Sequence, residues 1–120
     1  MDRDYFERRK EKLISRHQEL INRKNQVDDS YSHGIFERYK YPILTYEHIP
    51  LNWRFDFNPE DNPYLLERLR VNSVFNSGAI ATDNGVLLVA RVEGADRKSF
   101  FAIAESQTGI DQFQFRDKPI

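Results

Sequence analysis

The last fifty residues constrain this chain more than any other part of it, because they read as four short strands separated by turn signals. Residues 71–82 are rich in β-branched and small side chains, Asp83-Asn84-Gly85 supplies a two-residue hairpin turn of the Asn-Gly kind, and residues 86–92 run back. Gly94-Ala95-Asp96 turns the chain again, residues 99–104 make a third strand, and 107–111 make a third turn. The fourth strand, 112–116, alternates strictly between polar and apolar side chains. An antiparallel four-stranded meander is therefore expected. Val86-Leu87-Leu88-Val89-Ala90 and Phe100-Phe101-Ala102-Ile103-Ala104 are apolar at consecutive positions, which implies burial on both faces of the sheet. Strands of a two-sheet sandwich alternate, whereas the inner strands of a propeller blade are covered by neighbouring blades on both sides. The expected fold class is all-β, with the meander forming about one blade, the first, of a β-propeller. Blades come in sets of about four to eight, each about 40 to 50 residues long. A chain of 120 residues does not close such a ring, and its stop at Lys118-Pro119-Ile120 reads as that of an N-terminal piece.

Before the strands come two segments of different texture. Residues 4–25 lack Gly and Pro and repeat apolar pairs at helical spacing, Tyr5/Phe6, Leu13/Ile14 and Leu20/Ile21, which predicts an amphipathic helix with a narrow apolar stripe. Its many arginines and lysines suit RNA or a membrane surface, but Glu7, Glu11 and Glu19 interleave with them. A solvated outer face is the simpler reading, with the stripe packed on the body or on another subunit. Residues 1–26 are taken as a helical extension and 27–120 as the incomplete propeller portion. In residues 27–69, Pro42, Pro50, Pro59 and Pro63 leave no room for a long helix or strand. The many aromatic residues there, Trp53 and Phe55 among them, carry too much apolar area for a linker; they suit core packing or the stacking of pyranose rings. A short helical turn is expected over 63–70, with Leu65, Leu66 and Leu69 on one side.

Composition removes several classes of function. Eighteen basic against nineteen acidic residues give a net charge of -1, so the chain as a whole makes no case for nucleic acid or an anionic membrane as partner. No cysteine is present, hence no disulfide, thiolate metal site or cysteine nucleophile. With a charged N-terminus and no apolar run near the roughly 18 residues of a membrane span, a cytoplasmic location is expected.

Chemistry-bearing residues sit where strands prefer apolar ones: Asn76-Ser77-Gly78 in the first strand, Arg91 and Glu93 at the end of the second. Asn76 and Arg91 lie about equally far from the hairpin turn, so the two become neighbours in space. The same pattern suits a hydrogen-bonded strand end with Gly78 at a bulge, or a ligand site. His17, His33 and His48 lack metal-ligand spacing, and no metal is expected. Glu93, Asp96 and Glu105 can be arranged as a glycosidase carboxylate pair, although turns and strand ends commonly carry surface charges of this kind.

The ordered set Asn76-Ser77-Gly78-Ala79, Arg91-Val92-Glu93-Gly94 and Ala104-Glu105-Ser106-Gln107-Thr108-Gly109-Ile110-Asp111-Gln112-Phe113, led by Tyr41-Pro42-Ile43-Leu44-Thr45, resembles glycoside hydrolase family 130 over residues 33–120. The resemblance implies a five-bladed propeller and an inverting β-mannoside phosphorylase, a hexosyltransferase-type enzyme with inorganic phosphate as co-substrate and no cofactor. It implies that Asn76, Ser77 and Arg91 bind the mannosyl unit, with Glu93 and Arg97 as neighbours. No catalytic residue falls within this chain: the general-acid aspartate and the phosphate ligands belong to later blades, so the 120-residue chain alone is expected to be inactive. The loop from Val92 to Lys98 is similar to the branch that cleaves mannosyl-glucose disaccharides. Homo-oligomer contacts through the N-terminal helix are also implied. A propeller hydrolase using water, or a non-catalytic carbohydrate-binding module, are the competing readings.

Overall fold

The computed structural model describes residues 3–30, 34–68, 70–95 and 98–120, with the backbone alone at Asn76 and Ser77. One long helix, α1 (Arg3–Asn22), precedes a 3-10 turn (Tyr46–His48), a single-turn helix α2 (Leu51–Arg54) and four strands, β1 (Val71–Thr82), β2 (Gly85–Gly94), β3 (Ser99–Ser106) and β4 (Gln114–Phe115). The strands form one antiparallel sheet in the order β1-β2-β3-β4. The expected meander is therefore present. Its hairpin loop is Asp83-Asn84, with Thr82 paired to Gly85; the glycine opens β2 instead of sitting in the turn. Gly85 has φ 141° and a Cβ there would lie 2.1 Å from the Ser106 carbonyl oxygen, so the close approach of β3 requires glycine.

Burial along the sheet departs from the two-sided expectation. On β2 the buried residues alternate, Leu88, Ala90, Val92 and Gly94, and on β3 they are Ala102, Ala104 and Ser106. The covered face carries Phe115 of β4 and packs with Phe113 just before it and with the irregular segment, from which Ile49 is buried and Ile43, Leu44 and Trp53 are partly buried. Ala90, Ala102 and Ala104 are completely buried, and their small side chains let this aromatic layer approach the sheet. Trp53 lies 6.0 Å from both the Phe100 and Phe115 rings and donates through Nε1 to the Asp117 carbonyl at 2.7 Å. Of the aromatic stretch, Trp53, Phe55 and Phe57 join the core clusters, while Phe36, Tyr41, Tyr46 and Tyr64 are exposed. The other face lies open, with Phe75 43% and Phe101 46% exposed. Consecutive apolar residues suggested two covered faces, but among the described residues only one is covered.

Helix α1 joins the body through a second cluster, in which Phe6, Phe55 and Leu65 are buried and Leu13, Leu51 and Phe57 pack around them. Arg9 Nε donates to the Leu65 carbonyl at 3.0 Å. The helical turn expected over 63–70 does not form. Leu65 has φ 50°, a left-handed conformation that a right-handed helix cannot contain, and it is fully buried while Leu66 is 64% exposed. Asn62 organises the loop, donating to the Asp56 and Leu66 carbonyls and accepting from the Leu66 amide. Leu69 lies outside the described residues. Arg54 then holds Glu67 in a two-pronged ion pair at 3.0 and 3.1 Å, and Glu67 Oε1 also accepts from the Val71 amide, which fixes the start of β1. Among the described residues no helix is long and apolar enough to cross a membrane.

Candidate functional site on the open face of the sheet

Directly opposed residues of an antiparallel pair share a face, so the register defines rows across the sheet. If pairing continued unbroken from Thr82 and Gly85, Asn76 would meet Arg91. It does not, because the register jumps between Asn76 paired with Ala90 and Gly78 paired with Val89. Ser77 is the extra residue of a β-bulge, as the neighbouring glycine suggested. Phe75 takes the place opposite Arg91, and Phe101 of β3 opposes Arg91 from the other side. The open face thus carries a row Phe75-Arg91-Phe101. A row Ser73-Glu93-Ser99 lies on one side of it and Gly78-Val89-Ile103 on the other.

The guanidinium of Arg91 lies over the Phe75 ring, its Cζ 4.6 Å from the centroid. A cation–π contact of this kind attracts the guanidinium to the ring without taking up its donors in a carboxylate pair. A Cβ built on Gly78 meets no heavy atom within 4 Å, so a notch opens beside Arg91 in the next row. Glu93 stands two residues along the same strand, on the same face. Together these groups offer a fork of donors, a carboxylate acceptor and aromatic surface, the elements needed to hold a polyhydroxylated ring.

Of the residues expected at a site, Arg91 and Glu93 are brought together on this face. The Asn76 backbone sits one step away, paired with Ala90, and the side chains of Asn76 and Ser77 are outside the described residues, as is the whole of Arg97. The glycosidase carboxylate pair is not formed by Glu93 and Glu105. Leu87, which pairs with Glu105, is six residues from Glu93, or about 20 Å along the strand. Glu105 is held by Arg116 at 2.8 Å. Asp96 lies outside the described residues. Sequence reasoning did not find Phe75 and Phe101; counting the bulge residue signalled by Asn76-Ser77-Gly78 would have put Phe75 opposite Arg91.

The third motif, 104–113, is spent on structure. Ser106 Oγ donates to the Asp111 carbonyl at 2.5 Å and accepts from the amides of Thr108 and Gly109. Asp111 accepts from Thr108 Oγ1 at 2.6 Å and from the Asn25 amide at 2.8 Å. The Thr108 hydroxyl first, and then the Asn25 amide, hold the Asp111 carboxyl below its ordinary value. Asn25 also donates to the Tyr41 and Ile110 carbonyls, and Gln112 Nε2 donates to the Asn22 carbonyl at the end of α1. The motif fastens the end of the helix to the β3–β4 turn.

The histidines serve the body as well. His17 on α1 donates through Nδ1 to the Glu47 carbonyl at 3.1 Å, and burial lowers its pKa. His48 is 5% exposed, and its Nδ1 accepts from the Thr45 amide at 2.9 Å. Burial lowers its pKa to about 4, with His17 and Arg23 adding repulsion. His33 lies outside the described residues, and among those described no group of His, Cys, Asp and Glu is placed to hold a metal ion. A cleft of about 740 Å³ lies at the hairpin-turn end of the sheet among Asn84, Gln107, Gln112, Gln114, Glu105 and Arg116. Its charged pair is already joined, and Arg91 is not part of it.

No family model matches the chain. Over 109 residues, 91% of its length, the chain is 50% identical to a 4-O-beta-D-mannosyl-D-glucose phosphorylase of Bacteroides fragilis. It spans 28% of the length of that protein.

Proposed function

We propose that the chain is the N-terminal portion of a glycoside hydrolase family 130 enzyme, a phosphorylase that converts β-1,4-mannosyl-glucose and phosphate to mannose 1-phosphate and glucose. The observation that carries this reading is the 50% identity to a named phosphorylase, which extends over 91% of the chain and so is not confined to one motif. The antiparallel meander and the Arg91/Glu93 face agree with it.

In this reading a phosphate oxygen attacks the anomeric carbon of the mannosyl unit from the side opposite the leaving glucose. The bond from that carbon to the glucosyl oxygen breaks, and the oxygen takes a proton from a general-acid carboxylic acid. Phosphate is already an anionic nucleophile, so a single carboxyl group with basic phosphate ligands is sufficient, where an inverting hydrolase needs a second carboxylate to activate water. The general acid and the phosphate ligands belong to the remainder of a five-bladed ring. Asn76, Ser77 and Arg91 hydrogen-bond the mannosyl unit, with Glu93 and Arg97 beside them. The helix α1 serves assembly of the oligomer.

The test uses the full-length protein incubated with β-1,4-mannosyl-glucose, with and without phosphate, while mannose 1-phosphate and free mannose are assayed. Phosphate-dependent mannose 1-phosphate is expected, reduced at least about a hundredfold in Arg91→Ala, the loss of about 2.7 kcal/mol or more that a charged hydrogen-bonding group can bring. Free mannose without phosphate makes the enzyme a hydrolase. No cleavage in either condition leaves a carbohydrate-binding module.

A further inference from the structure

The contact between Arg91 and Phe75 is unusual for what it leaves unused. A strand arginine commonly turns its N–H groups to a carboxylate, but among the described residues Arg91 makes no salt bridge. Its one described side-chain partner is the Phe75 ring, at 4.6 Å. Phe75 in turn is 43% exposed on an open sheet face, where a large apolar side chain has little to bury against. Phe101 is the register partner of Arg91 on the other strand.

We infer that Phe75 is a positioning residue, which holds the Arg91 guanidinium by its face so that its N–H edge is presented to vicinal hydroxyl groups of the sugar. This rests on the proposal that Arg91 binds the mannosyl unit. An arginine on a solvated strand samples many rotamers, and side-chain entropy stands against any one of them. An ion pair would restrict it too, but would consume the donors that the ligand needs. An aromatic face restricts it and consumes none. The bulge at Ser77 supplies the placement, since only the one-residue shift brings Phe75 opposite Arg91. Gly78, the next residue of β1 on this face, leaves the space into which the ring of a sugar can enter.

The experiment measures phosphorolysis kinetics of the full-length protein with Phe75→Leu, Phe75→Trp and Arg91→Ala, alone and with Phe75→Leu combined with Arg91→Ala. An exposed cation–π contact is worth about 0.5 to 1 kcal/mol, so Phe75→Leu is expected to raise KM for the disaccharide about two- to fivefold with kcat nearly unchanged. Phe75→Trp restores KM to the wild-type value or below, because the indole is the better π-face. In the Arg91→Ala background Phe75→Leu has no further effect on KM. A merely structural role for Phe75 would instead lower melting temperature and act equally in both backgrounds. Unchanged KM in Phe75→Leu, or the same fold-change with and without Arg91, overturns the positioning role while leaving the phosphorylase reading intact. Absence of turnover by the wild-type protein overturns both.

Discussion

His48 shows how a single side chain sets a condition on the whole fold. Its Nδ1 accepts a hydrogen bond from the Thr45 amide, so a proton there would remove an acceptor and place a charge in a site 5% exposed. The folded-state pKa, about 4, lies below the ordinary 6.5. Between these values the unfolded chain binds more protons than the folded one, so stability is fully present above pH 6.5 and declines as pH falls towards 4. The loss amounts to the order of 2 to 3 kcal/mol at the lower end. In His48→Asn an amide oxygen can take the place of Nδ1 without titrating. Thermal melting across pH 4 to 6.5 is expected to show a flatter profile for the variant. A profile as steep as that of the wild type would place the titration elsewhere. None of this was legible in the sequence, where His48 is one of three scattered histidines. Burial and a short-range acceptor role come from the turn at Tyr46–His48, which has no periodic signature.

At the scale of elements, the helix and the four strands were legible because their signals are local. Apolar positions at helical spacing mark α1, and β-branched runs interrupted by Asp83-Asn84 and by Gly94 mark the hairpins. The region of residues 63–70 was not legible, since Leu65 adopts a left-handed backbone to bury its side chain beside Phe6 and Phe55, a tertiary demand that overrides the propensity of leucine. The candidate site was half legible. Counting from the turn brought Asn76 and Arg91 together to within one residue, and the bulge accounts for that residue. The attachment of α1 to the sheet depends on Asn25, whose side chain serves the carbonyls of Tyr41 and Ile110 and the amides of Gln26 and Tyr41. Asn25→Ala is expected to cost about 2 to 3 kcal/mol, because it leaves several backbone groups short of partners. The same variant should open α1 to proteolysis before the sheet unfolds. Equal melting temperature and equal protease resistance would show that water replaces the amide without loss.

The whole molecule is longer than its residue count predicts. Its radius of gyration is 16.5 Å, against about 14 Å for a compact domain of this length, and its longest dimension is 58 Å. One face of the sheet is covered by the aromatic segment while Phe75, Ile80 and Phe101 stand exposed on or beside the other. The hydrophobic texture of β2 and β3 led to an expectation of cover on both faces, whereas among the described residues burial alternates and only one face is covered. Expressed as residues 1–120, the protein is expected to self-associate through this face and to bind a fluorescent apolar dye, with sedimentation velocity as the check. A monodisperse monomer that unfolds cooperatively would contradict that expectation.

The knot of Ser106, Thr108, Asp111 and Asn25 has a bearing on how proteins of this kind are sorted by their sequences. Its polar side chains resemble a ligand-binding signature when read as text, yet they point to one another and to the backbone of the turn. A protein that keeps these residues keeps a means of joining helix to sheet. Matches over this stretch therefore inform on shared architecture, and in the proposed reading it is the surroundings of Arg91 that bear on the substrate.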